Sequence, residues 1–142
     1  MTRKPLSPSF SINGGQSILN LTQFPATPEQ VAAGVVDPGE ETRIEIYRNS
    51  TFTSLPSPAL LQSRARNIVD IATRSISVFT QFSPYVMINP PPYLVKDLTV
   101  CLKDHDLVPV FPFSIWERTG ERGENGRRPK LWHHAGFIEA IV

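Results

Sequence analysis

The chain has 142 residues, with 14 basic and 13 acidic side chains and a formal net charge of +1. Its hydrophobic content is 40% and its charged content 19%, which excludes a disordered chain, and no apolar run approaches the roughly 20 residues of a transmembrane helix. The near-neutral charge argues against duplex nucleic acid as a partner, and we expect no membrane association.

The N-terminal segment and the cysteine content bear on domain organisation and localisation. Residues 1–16 are polar and rich in turn-forming residues, so we predict a flexible arm followed by a single domain over residues 17–142. The arm lacks the apolar core of a signal peptide, and Cys101, the single cysteine, has no partner for an internal disulfide. We therefore predict a cytoplasmic protein.

The first predicted unit is a strand followed by a helix. An apolar run predicts a strand over Ser17–Gln23, and a helix is expected from Pro28 to about Val35, where Asp37-Pro38-Gly39 ends it. The start of this helix is marked by Thr27 and Gln30, which can form a capping box, and by Pro28 in the first turn.

A second strand and a long helix are predicted next. Alternating apolar and charged residues over Thr42–Tyr47 predict a strand with one solvated face. Ser57 and Pro58 then mark the start of a helix, whose solvated side would carry Arg64, Arg66 and Arg74. The apolar stripe expected to pack on the sheet consists of Leu61, Ala65, Ile68, Ala72 and Ile76.

The second half of the chain repeats this alternation. Phe82–Ile88 predicts a buried strand, and a helix follows the prolines at 90–92 and continues through Lys103. Residues 108–116 form an extended segment, which its prolines should place at a sheet edge or interrupt. A charged, glycine-rich stretch, Glu117–Lys130, separates it from a final strand, Leu131–Val142, so we expect a C-terminal β-hairpin. The alternation as a whole predicts a three-layer α/β domain with a mostly parallel sheet.

Polar residues follow two of the predicted parallel strands. Thr22 and Gln23 end the first strand, and Asn89 ends the strand at Phe82–Ile88. The carboxyl ends of parallel strands share one edge of the sheet, where ligands bind, so we predict that these three residues contact a ligand; helix capping is the alternative interpretation. Pro90, Pro91 and Pro92 have no amide hydrogen to offer a phosphate. Neither a Walker loop nor a Gly-x-Gly-x-x-Gly motif is present, so ordinary ATP or NAD use is disfavoured and no cofactor is predicted.

The adjacent histidines His133 and His134 are the side chains best suited to proton transfer near neutral pH. Neighbours in a strand point to opposite faces, so at most one of them should face a given site, and we predict no metal site. One histidine would act as a general base or a phosphate contact beside Ser114 and Arg118 on the paired strand. The alternative is that all of these are polar surface residues of the hairpin.

The two ends of the domain resemble a family of small uncharacterised phage and bacterial proteins. Residues 19–30 read L-N-L-T-Q-F-P-A-T-P-E-Q, and that family opens with L-N-L-T-Q-H-P-A-T-P-E-Q. Residues 132–140 are similar to its ending F-R-H-x-G-F-V-E-A, and residues 110–114 stand where it has L-Y-A-F-S. Roughly a third of the chain carries the resemblance.

The resemblance implies a Rossmann-like fold and a nucleotide-derived signal as ligand, because the family is loosely similar to CRISPR-associated ring-nuclease-type domains that bind cyclic oligonucleotides. His134 matches the closing histidine of the family and is our predicted catalytic residue. Phe24 stands where the opening motif has histidine, and Asn89-Pro90 replaces a Gly-Gly pair. These departures favour binding over catalysis.

Three hypotheses follow for the function. The first is a homodimeric α/β protein that binds a nucleotide-derived ligand, such as a cyclic oligonucleotide, through Thr22, Gln23, Asn89, Ser114, Arg118 and His134. The second is a metal-independent ring nuclease, which orients a ribose 2′-hydroxyl for attack on its own phosphate. The third is a structural or interaction protein without a small ligand, such as a virion component.

Overall fold

A computed structural model describes residues 5–6, 17–78, 82–118 and 130–141. Within these ranges the elements, in chain order, are β1 (Pro5–Leu6), β2 (Ser17–Asn20), α1 (Pro28–Ala32), β3 (Val35–Val36), α2 (Glu40–Ser50), α3 (Pro58–Val78), β4 (Phe82–Met87), α4 (Pro92–Asp104), β5 (Val108–Arg118) and β6 (Lys130–Glu139). None of the helices in these ranges has the length and apolar character needed to cross a membrane. Apart from Pro5–Leu6, the predicted arm lies outside the described residues, as do residues 119–129 of the glycine-rich stretch.

The strands form one mixed sheet in the order β1-β6-β5-β4-β2-β3. Strands β3, β2, β4 and β5 run parallel to one another, and β6 is antiparallel to both β5 and β1. The prediction of an α/β fold with a mostly parallel sheet and a C-terminal hairpin is confirmed. The parallel part of the sheet is what brings several strand ends to a common edge.

Two apolar clusters lie against opposite faces of the sheet. Successive residues of a strand point to opposite faces, so Leu19 and Val86 join the cluster formed with α3 and α4. Their neighbours Ile18 and Met87 join a second cluster, with Phe137 from β6. Central strands that are buried on both faces explain the continuous apolar runs in their sequences.

The first predicted helix is shorter than expected. It was predicted to extend to about Val35, but α1 ends at Ala32, and Val35–Val36 instead form β3 beside β2. Gly34 makes the turn with a φ of 102°, a conformation that glycine adopts readily because it has no Cβ. The helix start is as predicted, since the Gln30 amide donates to Thr27 Oγ1 at 3.2 Å and the Thr27 amide donates to Gln30 Oε1 at 3.0 Å.

The strand predicted over Thr42–Tyr47 is wrong, because these residues lie within α2. Ile46 and Ser50, one helical turn apart, are the buried residues of this helix, whereas Ile44 is 43% exposed. The alternation behind the prediction is too short to distinguish a strand from a helix, and glutamate and arginine favour helices.

The long helix α3 packs as predicted through its apolar stripe, and the Leu60 amide donates to the capping hydroxyl of Ser57 at 3.1 Å. Arg66 and Arg74 are exposed, as expected. Arg64 differs: its guanidinium donates to the carbonyls of Arg48 and Thr51 and lies over the Phe52 ring. It therefore connects the end of α2 to α3.

The proline-containing strand β5 lies inside the sheet, between β4 and β6, so the prediction of an edge or interrupted strand is wrong. Its pairing with β4 reaches only to Val110, whose carbonyl accepts from the Ile88 amide at 2.9 Å. The backbone N–H and C=O groups of successive residues in a strand point to opposite sides. Pro112 is two residues after Val110, so its nitrogen faces the same side as the Val110 carbonyl, toward β4, but lies beyond the last residue that pairs with β4. The missing amide hydrogen of Pro112 therefore costs no ladder hydrogen bond.

Thr99 on α4 provides a test of the core. The residue is 1% exposed, and its hydroxyl has no hydrogen-bond partner among the described residues. We expect Thr99→Val, which is nearly isosteric, to raise the free energy of unfolding by about 1 kcal/mol, because a buried unsatisfied hydroxyl costs roughly that amount. Chemical denaturation measures the change.

The matched control for Thr99→Val is Thr73→Val on α3, where the hydroxyl donates to the Asp70 carbonyl at 3.0 Å. That variant should gain no stability. Equal effects of the two substitutions would contradict the assignment of an unsatisfied hydroxyl to Thr99.

Candidate functional site

The carboxyl ends of β2 and β4 lie side by side at one edge of the sheet, which we call the rim. The Leu21 amide donates to the Met87 carbonyl at 2.8 Å, and Asn20 is in register with Met87. Thr22 and Gln23 therefore leave the sheet beside Asn89. The rim is the position at which α/β sheets commonly bind ligands.

The loop after β2 is organised by Asn20, which is fully buried. Its side-chain amide donates to the Phe24 carbonyl at 2.8 Å and to Asp37 Oδ1 at 2.7 Å, while its side-chain oxygen accepts from the Thr22 amide at 2.9 Å. The Asp37 carboxylate also accepts from the Ala26 amide, at 2.9 Å to Oδ1. Asn20 and Asp37 thus hold the path of the chain from β2 to α1.

Thr22, a predicted ligand contact, is 6% exposed and takes part in this loop. Its hydroxyl donates to the Phe24 carbonyl at 2.9 Å and accepts from the Phe24 amide at 3.3 Å. The hydroxyl therefore has a role within the loop itself. Gln23 is half-buried and Asn89 is exposed, so the side chains next to Thr22 along the rim are open to solvent.

Beyond the rim, the β5–β6 hairpin places Ser114 directly opposite His134. The pairing shifts register between Phe113 and Ser114, because their partners on β6 are Gly136 and His134, with Ala135 between them. Gly136 has a φ of 140°. A bulge of this kind re-aims side chains and is common beside functional sites. Arg118 pairs with Lys130 through the backbone, but the Arg118 side chain lies outside what the structure describes.

His134 has an unusual environment for a histidine. Its ring contacts the Phe137 ring edge-on, with centroids 4.8 Å apart. Both ring nitrogens are buried, and neither has a hydrogen-bond partner among the described residues. Burial lowers the pKa of the imidazole, and the negative charge of Glu29 opposes this shift in part. His134 is therefore a neutral imidazole at neutral pH, with one donor and one acceptor left unused.

Glu29 is a member of the site that the sequence analysis did not identify. It lies in the first turn of α1, and its Oε2 is 3.7 Å from Nδ1 of His133. The same carboxylate acts electrostatically on His134, so both histidines have Glu29 as a neighbour, despite their adjacent positions in one strand. The capping box that fixes the start of α1 was readable from the sequence, but the approach of α1 to β6 was not.

The arrangement brings some of the predicted site residues together. Ser114 and His134 are cross-strand partners with Glu29 close to the histidines, and Thr22, Gln23 and Asn89 share the rim. No three histidine, cysteine or acidic side chains in the described ranges are placed to hold a metal ion. The chemistry available here is hydrogen bonding by a neutral imidazole and by a carboxylate.

Comparison with known proteins adds no family to this picture. No family model, no curated protein and no solved structure matches the chain.

Proposed function

We propose that this chain is a Rossmann-like protein that binds a nucleotide-derived ligand at the rim, with contacts from Gln23, Asn89, Ser114 and His134. The observation that carries the proposal is that both ring nitrogens of His134 are buried and have no hydrogen-bond partner within the described part of the chain. Buried polar groups are nearly always hydrogen-bonded, so exceptions call for a ligand or water as partner. The resemblance of the two ends of the domain to small phage and bacterial proteins supports a nucleotide signal as that ligand.

The charges around His134 indicate how the ligand is oriented. Glu29 places a negative charge beside both histidines, which repels phosphate but suits a ribose hydroxyl or the N–H edge of a base. We therefore assign the sugar or base to the hairpin side. The phosphates lie nearer Gln23 and Asn89, and Thr22 acts by shaping the loop.

Binding rather than turnover is favoured by the start of α4. Pro91 is the N-cap residue, no side chain caps the helix, and Pro92 occupies its first position. These prolines have no amide hydrogens with which to stabilise developing charge on a phosphate. We infer that the chain holds its ligand without cleaving it.

A metal-independent ring nuclease is the second candidate, and the neutral imidazole of His134 favours it. In that reaction the ribose 2′-oxygen attacks the adjacent phosphorus and gives its proton to the imidazole. The bond to the 5′-oxygen then breaks, that oxygen takes up a proton, and a 2′,3′-cyclic phosphate remains. A neutral histidine is the form that can act as the base.

One experiment separates binding from turnover. Cyclic di-, tri- and tetranucleotides are titrated into the protein by isothermal calorimetry, and the same mixtures are incubated in EDTA and analysed by chromatography. We expect saturable binding of at least one compound and recovery of that compound intact. Linear products in EDTA would establish the nuclease instead, and the absence of binding across the series would contradict both candidates.

A further inference from the structure

A cavity of about 420 Å³ lies between the first half of α2, the second half of α3 and the strands β2 and β3. Its size is within the range of small-molecule sites. Its lining includes Leu19, Val36, Ile71, Arg74, Ser75 and Phe82.

The cavity exists because α2 packs closely only through its second half. The buried residues of that helix are Ile46 and Ser50, and its first turn, which begins after Gly39, has none. Strand β3 contributes only two residues to the edge of the sheet, so none of the strands that the structure describes fills the space under the first turn of α2. The cavity is therefore a consequence of the fold.

The interior of the cavity is apolar and its mouth is polar. Leu19 and Ile71 are almost fully buried, and Phe82 and Val36 extend the apolar lining. Arg74 lies at the solvent side, with 66% of its side chain exposed. An apolar interior with a few polar groups at one end is the usual character of a small-molecule site.

The charge preference of the cavity depends on Arg74 and Asp37. The carboxylate of Asp37, which also lines the cavity, accepts hydrogen bonds from Asn20 and from the Ala26 amide, so its oxygens are held toward the loop after β2. Arg74 pairs with Glu45 at 3.3 Å, but both side chains are substantially exposed. Exposed ion pairs contribute little to stability, so another carboxylate can replace Glu45.

We propose that this cavity binds an amphipathic monocarboxylate, such as a medium-chain fatty acid. Its carboxylate pairs with Arg74 in place of Glu45, because the guanidinium fork matches a carboxylate in geometry and charge. Its apolar chain lies against Val36 and Phe82, because Leu19 and Ile71 are almost fully buried and offer little accessible surface. The Ser75 hydroxyl donates to the Ile71 carbonyl at 2.8 Å, which leaves its oxygen able to accept a hydrogen bond.

This inference does not rest on the proposed function at the rim, although Asp37 lines the cavity and also holds the rim loop. The cavity adjoins the face of the sheet that carries Leu19, in the cluster with α3. Phe137, the ring partner of His134, belongs to the cluster on the opposite face. If the ligand proposed for one site does not bind, the proposal for the other site is not contradicted.

The test titrates decanoate into the full-length protein by isothermal calorimetry, with decylamine and decanol as matched compounds. We expect decanoate to bind most tightly. Arg74→Gln should weaken decanoate binding about two- to fivefold, the effect expected from losing an exposed ion pair. Glu45→Gln, which removes the competing carboxylate, should strengthen it.

The matched control is Arg66→Gln, an exposed arginine on the same helix that is not among the residues lining the cavity; it should bind decanoate as the native chain does. Ser75→Leu, which places a larger side chain in the cavity, should abolish binding in a chain that still unfolds cooperatively. The proposal is overturned if decylamine or decanol binds as well as decanoate, if Arg74→Gln binds like Arg66→Gln, or if decanoate does not bind.

Discussion

Asn20→Asp lowers the free energy of unfolding at pH 7 by about 3 kcal/mol or more, because it breaks a buried hydrogen-bond network and places two carboxylates in contact. The side-chain nitrogen of Asn20 lies 2.7 Å from Asp37 Oδ1 and also donates to the Phe24 carbonyl. An oxygen at that position can donate to neither acceptor unless it is protonated. Urea denaturation of the variant and the native chain measures the difference.

The decrease in the free energy of unfolding caused by Asn20→Asp depends on pH. The introduced carboxyl is buried beside Asp37, so its folded pKa is raised above the unfolded value of about 3.9 by burial and by the neighbouring negative charge. Protonation of this carboxyl therefore stabilises the folded state. The stabilisation is fully present below the unfolded pKa and is lost as the pH rises through the raised folded pKa. The variant should therefore approach the native stability on acidification toward pH 4.

Asn67→Asp is the matched control for this substitution. Asn67 is exposed on α3 and its side chain contacts Asn49 at 3.0 Å, so its replacement should change the free energy of unfolding by about 0.5 kcal/mol or less. If Asn20→Asp were no more destabilising than the control at neutral pH, the network around Asn20 would not hold the rim loop as described.

The second prediction is that His134→Leu removes ligand binding while it stabilises the protein. Leucine keeps the apolar contact with Phe137 and leaves no buried nitrogen without a partner. We expect the free energy of unfolding to increase by about 1 kcal/mol at pH 7. The ligand identified by calorimetry should bind about tenfold more weakly or worse, because its hydrogen bonds to the imidazole are lost.

The pH dependence of stability provides an independent test of His134. Its folded pKa is lowered by burial below the unfolded value of 6.5, so the unfolded chain binds more protons than the folded chain just below that pH. Stability of the native chain should therefore fall as pH decreases below about 6.5. His134→Leu should lose this component of the pH dependence.

His105→Leu is the control for His134→Leu. His105 is exposed at the end of α4, where Nδ1 lies 2.9 Å from the Cys101 carbonyl oxygen, and its replacement should leave ligand binding unchanged. Parallel effects of the two leucine variants on binding would rule out His134 as the ligand contact. Destabilisation by His134→Leu would show that the imidazole is already satisfied within the protein.

Several features of the candidate site could be predicted from the local sequence. The Thr27–Gln30 capping box, the position of His134 in the final strand and the prolines before α4 each depend on residues within a few positions of one another. Local hydrogen bonding and backbone restriction decide such features. The pairing of the last two strands was likewise predictable, although its register was not.

The wrong secondary-structure predictions concern short segments whose local sequence does not distinguish a helix from a strand. The alternation within Thr42–Tyr47 fits a strand or a helix, and packing against α3 decides for α2 by burying Ile46. Val35–Val36 continue the apolar pattern of α1, but Gly34 and the edge of β2 draw them into the sheet. Segments this short contribute too little intrinsic free energy to oppose tertiary contacts.

By itself, then, the sequence determined the α/β class, the long helices with their apolar stripes, the hairpin and a histidine in it, because periodicity and capping act over a few residues. Only the tertiary structure decided that Glu29 lies beside both histidines, that Asn20 and Asp37 hold the rim loop, and that a cavity remains under α2. These features join residues that are distant in the chain. Their contacts follow from how the sheet and helices pack as a whole, which no local pattern encodes.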